Sequence, residues 1–260
     1  WRGPENDPQA PIWKHIWCWH LGSGDANASK RNISELTEAL LSKDDATAIG
    51  ASYELGSTEE GLVPLFEYFF SDNLDLRAIA AYGIVRSAEL ALPELLSKLE
   101  IEDPEQQARI LDLIGDMSLR AESAGTIVAS LAISRDVTVR RTAIEALGLI
   151  TQQHSTLDLQ VIKALTDALR DDDALVIRNA TFAIAKLGHK AGTDAIIDQL
   201  EKNLYHWHHH VRGWGIEALQ RLGDPRAMQL AIRYLTSTRW DPAAKSGDRP
   251  VTRETIRKTT

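Results

Sequence analysis

The chain has a single cysteine, Cys18, among 260 residues, so no internal disulfide can form and packing alone must hold the framework. Such low cysteine usage fits a reducing compartment, and a cytoplasmic location is expected. No apolar run reaches the roughly 18–20 residues that a membrane-spanning helix needs, and no charge pattern marks a signal peptide. No membrane partner is therefore expected. Cations are the minority: 29 Lys plus Arg stand against 37 Asp plus Glu, a formal charge of −8. That balance works against gripping a phosphate backbone, whose affinity comes from clustered Lys and Arg. Nucleic acid is not an expected partner.

Enzyme signatures are also missing. There is no Gly-x-Ser-x-Gly, no Walker glycine loop, no Cys-x-x-Cys, no dinucleotide fingerprint and no His-Glu-x-x-His. No catalytic residue, cofactor or metal is assigned on this reading. The first residue is Trp1 rather than Met, which points to a processed chain or to a piece of a larger polypeptide.

What is present is an ordinary globular balance of 43% apolar and 25% charged residues arranged as a repeat. Six segments share a turn with Asp or Gly, an often charged position, then small and branched apolar residues. They begin at Asp44, Leu76, Gln106, Val139, Val176 and Val211. Aligning the charged position gives Asp45, Arg77, Gln107, Arg140, Ile177 and Arg212, spaced by 32, 30, 33, 37 and 35 residues. A drifting period in the thirties is the mark of stacked helical hairpins with variable loops. Each unit has a Leu-rich first helix and an Ala-rich second one. Ile162, Leu165 and Leu169 fall at helical spacing in a first helix, and Ala143, Ala146, Leu147 and Ile150 line one stripe of a second. Pro93 and Pro225 are expected near first-helix starts, where a missing N–H costs nothing. No sustained apolar–polar alternation is seen, so the fold class expected is all-α.

The phrases VRRTAIEALG from Val139, VRGWGIEALQRLGDPRA from Val211 and ALPELL from Ala91 resemble the HEAT repeat, in particular the short variety named after phycobilisome lyases. The resemblance implies an α–α superhelix of about six hairpins over residues 33–237. An amino-terminal segment over 1–32 would include a capping helix, and a basic, flexible tail would occupy 238–260. It also implies a hydrogen-bonded ladder between repeats, carried by a turn Asp and an Arg opening the second helix. The matching residues are Asp72 with Arg77 and Asp136 with Arg140, while Gln107 and Ile177 depart from the pattern.

Two clusters stand out as candidate partner-binding surfaces. One is the segment from Tyr205 to Trp214, holding Trp207, His208, His209, His210, Arg212 and Trp214. It is read as a partner-facing turn; a ligand pocket walled by Trp207 and Trp214, a metal site and a pH-sensitive contact are the alternatives. The other is the Trp-rich amino end, where Trp13 and Trp17 share one side of a short helix. It would cap the stack or meet another domain or subunit. The function expected is a non-catalytic protein-interaction or scaffold module, or the regulatory part of a larger polypeptide. Its partner would be another protein or a preceding domain. The resemblance adds two alternatives: a bilin lyase or isomerase, and a HEAT-like DNA glycosylase that the acidic charge disfavours.

Overall fold

The computed structural model describes residues 32–100, 103–152, 157–239 and 251–252. These residues form thirteen α-helices, paired as hairpins in chain order: α1 Ile33–Leu40 with α2 Asp45–Leu55, α3 Glu59–Phe69 with α4 Leu74–Arg86, and α5 Ala88–Lys98 followed by α6 Pro104–Met117. Next come α7 Gly125–Leu131 with α8 Val137–Ile150, α9 Leu159–Ala168 with α10 Ala174–Leu187, and α11 Asp194–Asn203 with α12 His209–Arg221. The last helix is α13 Pro225–Ser237. The all-α expectation is met. The one departure is a two-residue antiparallel ladder in which Thr238 faces Thr252 and Arg239 faces Val251. Among the described residues no helix is long and apolar enough to cross a membrane.

The turns between hairpins work because short polar side chains cap the helices that follow. Asn32 and Glu35 form a capping box on α1, and Asp44, Thr58, Asn73, Asp103, Asp136, Asp158, Asp173 and Thr193 each accept from first-turn amides. Pro225 does open α13, but Pro93 lies inside α5. That helix begins a turn earlier because the carbonyl of Ser87 accepts from Leu90 and Ala91.

The chain divides into two compact units at Ser97/Lys98. In the first, α2 packs beside α4. A Cβ on Gly83 would sit 2.5 Å from the carbonyl oxygen of Ser52, so the bare glycine is what lets those backbones touch. In the second unit α6, α8, α10 and α12 lie side by side in that order, with α7, α9 and α11 behind them. Small residues again set the spacing. A Cβ on Gly115 would meet Ala146 at 3.3 Å, and one on Gly148 would meet the Cβ of Ala183 at 2.8 Å. Leu111, Ile114, Ile144, Leu147, Ile150, Ile184 and Leu219 are fully buried, filling the space between the layers.

The ladder between repeats takes a different form from the expected one. Neither Asp72–Arg77 nor Asp136–Arg140 is a direct ion pair among the described contacts. The Oδ1 of Asp136 is occupied by the amides of Thr138 and Val139 as a helix cap, and Arg77 donates to the carbonyl of Ser71 at 2.9 and 3.3 Å. Arg140 instead reaches forward to the next repeat, forking onto Asp171 at 2.8 and 3.1 Å. Arg141 does the same to Asp173 at 2.8 and 2.5 Å, holding that carboxyl down at about 2. The side chain of Gln107, lacking a guanidinium, donates to the carbonyl of Leu99 at 3.0 Å. Among the described residues, a second-helix Arg bridges to an Asp of the next repeat only at the joint between α8 and the turn before α10.

Candidate functional site

The second unit leaves one face of α6, α8, α10 and α12 uncovered by the first helices. The residues on it follow from the repeat: five positions after each aligned charged residue come Asp112, Glu145, Phe182 and Glu217, and nine after come Asp116, Leu149, Lys186 and Arg221.

At the α6 end the face is acidic. Asp112 and Asp116 sit one turn apart, and among the described residues no Lys or Arg pairs with either. Both reach solvent, yet the neighbouring helices crowd them. Burial pushes the Asp112 carboxyl up, with Glu145 adding to it. Asp116 is pushed up to about 6 by burial first, then by the charges of Asp112 and Glu145. Glu145 has one stabilising partner, the side-chain amide of Asn179 at 3.1 Å, which also donates to the carbonyl of Arg141 at 3.1 Å. Because the folded state holds the Asp116 proton more tightly than the unfolded chain does, stability falls as pH rises from about 4 through about 6. Asp116→Asn should therefore raise the melting temperature at pH 7.5. The gain should shrink below pH 6 and vanish below the ordinary carboxylate range, as read by thermal denaturation across pH.

The α10–α12 end is aromatic and cationic. Phe182 meets Trp214 edge-on, with ring centroids 4.7 Å apart, and the Lys186 ammonium lies 5.3 Å from the Phe182 ring. A cleft of about 600 Å³ opens beside them, lined by Ala185, Lys186, His209, His210, Gly213, Trp214, Glu217 and Arg221. Its one carboxylate, Glu217, is bonded to Arg221 at 2.6 Å. The guanidinium of Arg178 donates to the carboxamide oxygen of Asn179 at 2.5 and 3.0 Å, and no carboxylate of the described residues pairs with Arg178 or Lys186. The first unit has a smaller counterpart, where Arg86 stacks 3.7 Å over Tyr53 and Tyr53 lies 6.4 Å from Tyr82.

The sequence-chosen cluster is only partly brought together here. His208 is the cap residue of α12, so His209 and His210 open the helix rather than lying in the turn. Trp214, His209 and His210 line the cleft, whereas Trp207 is 51% exposed in the preceding turn against His206 and His208. Arg212 is no surface anchor. It is 3% exposed, and its Nη1 donates at 2.8 Å to the carbonyls of both His206 and Trp207, pinning the turn. That bond geometry explains why the turn needs no acidic residue. Its Nε, with Nδ1 of His208 and of His209, is buried without a partner among the described residues. Burial and neighbouring cations, Arg178 among them, pull His208 and His210 below the usual imidazole range. His206 precedes the helix, so it does not share a helical face with His210. Among the described residues no three His, Cys, Asp or Glu converge to hold a metal. Trp13 and Trp17 lie outside the described residues. Phe182, Lys186, Asp112, Asp116 and Glu145 were not signalled by clustering; their shared offset from the aligned position is the signal that finds them.

The HEAT-repeat profile matches residues 92–185 and again 162–246, which together exceed half of the chain. The chain belongs to the HEAT-repeat family. The match is to HEAT repeats in general and does not single out the phycobilisome-lyase variety. Among solved structures, the archaeal HEAT-like repeats protein from Thermococcus onnurineus NA1 is 15% identical, with 80% of this chain and 97% of that one covered at a TM-score of 0.49. Computationally designed armadillo repeat proteins for modular peptide recognition give 18% identity, 74% and 100% coverage and a TM-score of 0.47. A designed armadillo repeat protein in complex with the peptide (KR)4 gives 18%, 79% and 99%, with a TM-score of 0.42. No curated protein matches the chain.

Proposed function

We propose that this HEAT-repeat protein is a non-catalytic interaction module that holds an extended segment of a partner protein across α6, α8, α10 and α12. One observation carries the reading: a cleft walled by Trp214 on a face where Asp112, Asp116 and Lys186 have no opposite charge paired to them among the described residues. Aromatic and cationic side chains in a desolvated pocket are the usual carriers of binding energy. Uncompensated charges on a folded surface gain most when a complementary chain arrives. The acidic α6 end would repel a phosphate backbone, which supports a protein partner over nucleic acid.

Peptide display against the full chain tests this. Enriched peptides should lose roughly thirtyfold in affinity on Trp214→Ala, the effect of removing an aromatic anchor worth about 2 kcal/mol. Lys186→Glu, at an exposed position, guards against a folding artefact. A selection that enriches nothing, or peptides indifferent to both substitutions, would remove the proposal.

A further inference from the structure

Resting on that reading, we infer that the α10–α12 cleft receives an acidic side chain of the partner segment. The stretch crossing α6 and α8 must then be neutral or basic, so that the module selects a charge-polarised peptide.

The argument starts from which charges are satisfied. Several basic side chains of the second unit have carboxylates: Arg140 with Asp171, Arg141 with Asp173, Lys163 with Asp167, Arg226 with Asp198 and Arg233 with Glu201. Others are bonded to amide or carbonyl oxygens, Arg170 to Gln199, Lys190 to Gln152 and Arg212 to its own turn. The open face differs in placing such a cation, Lys186, beside a cleft. Lys186 and Arg178 have no carboxylate partner among the described residues, and the cleft's own Glu217 is already engaged by Arg221. His209 and His210 add imidazole groups that can donate to an anion. A carboxylate entering this cleft would meet an ammonium, imidazole donors and an indole wall against which its methylenes can pack. A Lys or Arg entering instead would face Lys186, with the one acid in the lining, Glu217, already held by Arg221.

The acidic end then acts as a selector. Asp112, Asp116 and Glu145 lie close enough to repel one another: burial first, and then these neighbouring charges, raise the carboxyls of Asp112 and Asp116. A further carboxylate laid over them would add to that repulsion. Helices pack about 8–10 Å apart, so α12 lies roughly 24–30 Å from α6. An extended chain rising about 3.3 Å per residue covers that in about seven to nine residues. The acid and the disfavoured positions are thus about five to nine residues apart along the ligand.

Fluorescence anisotropy with the full chain at low salt, where exposed charges are least screened, gives the test. Four labelled peptides of about nine residues share a neutral centre. One has Glu-Glu first and Lys-Lys last, one has the reverse order, one has Glu at both ends and one has Lys at both ends. One polarised order should bind at least about tenfold tighter than either uniform peptide, a difference of the size that like-charge juxtaposition imposes. Lys186→Glu should abolish that preference. Asp112→Asn with Asp116→Asn should bring the Glu-ended peptide to within about threefold of the polarised one. Tightest binding by the Lys-ended peptide, or a preference indifferent to Lys186→Glu, overturns the inference. So does failure of all four peptides while display succeeds through Trp214, and in that case the module reading stands. Failure of display itself strikes the module reading instead.

Discussion

Leu147→Ala is expected to destabilise the protein by about 2–5 kcal/mol, the range for truncating a sealed leucine. Leu147 is fully buried in the last turn of α8, the helix flanked by α6 on one side and α10 on the other. In a stack where each hairpin hides apolar surface only against its neighbours, one cavity there weakens two interfaces together. Leu149, two residues along, is only partly buried, and Leu149→Ala should cost well under half as much. Urea midpoints of the two variants check the contrast; equal losses would show that the packing layer does not run through Leu147.

The second large effect is at Arg212. Arg212→Ala strips the two carbonyls of His206 and Trp207 of their charged donor in a buried setting, at about 1–3 kcal/mol for each. Relief from burying a guanidinium with an unpartnered Nε offsets part of this, leaving a net loss of about 2–4 kcal/mol. The turn should loosen before the helices do. Hydrogen exchange at residues 206–210 should speed up selectively in the variant, and uniform change across α8 and α12 would argue against a local clamp.

The hairpin succession was legible in the chain because it rests on periodicities that neighbours along the sequence determine. Ala143, Ala146, Leu147 and Ile150 can form a stripe only on a helix, and Asp136 or Asp173 just before such a stripe can cap it. What was not legible depends on the step from one repeat to the next. Arg140 bonds to the carbonyls of Ser134 and Arg135 in its own turn and to Asp171 in the following one, and only the folded spacing reveals the second. Arg212 looked like a surface anchor because it stands among aromatic residues, yet its conformation turns it inward onto carbonyls. Phe182 and Lys186 are ordinary residues in an ordinary helix until α12 brings Trp214 beside them. The site is a property of rows across helices, and clustering along the chain sees only one helix at a time.

The close backbone approach at Gly148 and Ala183, and its counterpart at Gly115 and Ala146, has an evolutionary consequence. The interval between successive helices is fixed by groups with almost no side chain, on the flanks where one helix meets the next. Residues such as Glu145, Phe182 and Lys186 can therefore be exchanged one at a time without altering the pitch of the ruler on which they are mounted. New specificities can arise by rewriting the marks while the scale stays constant.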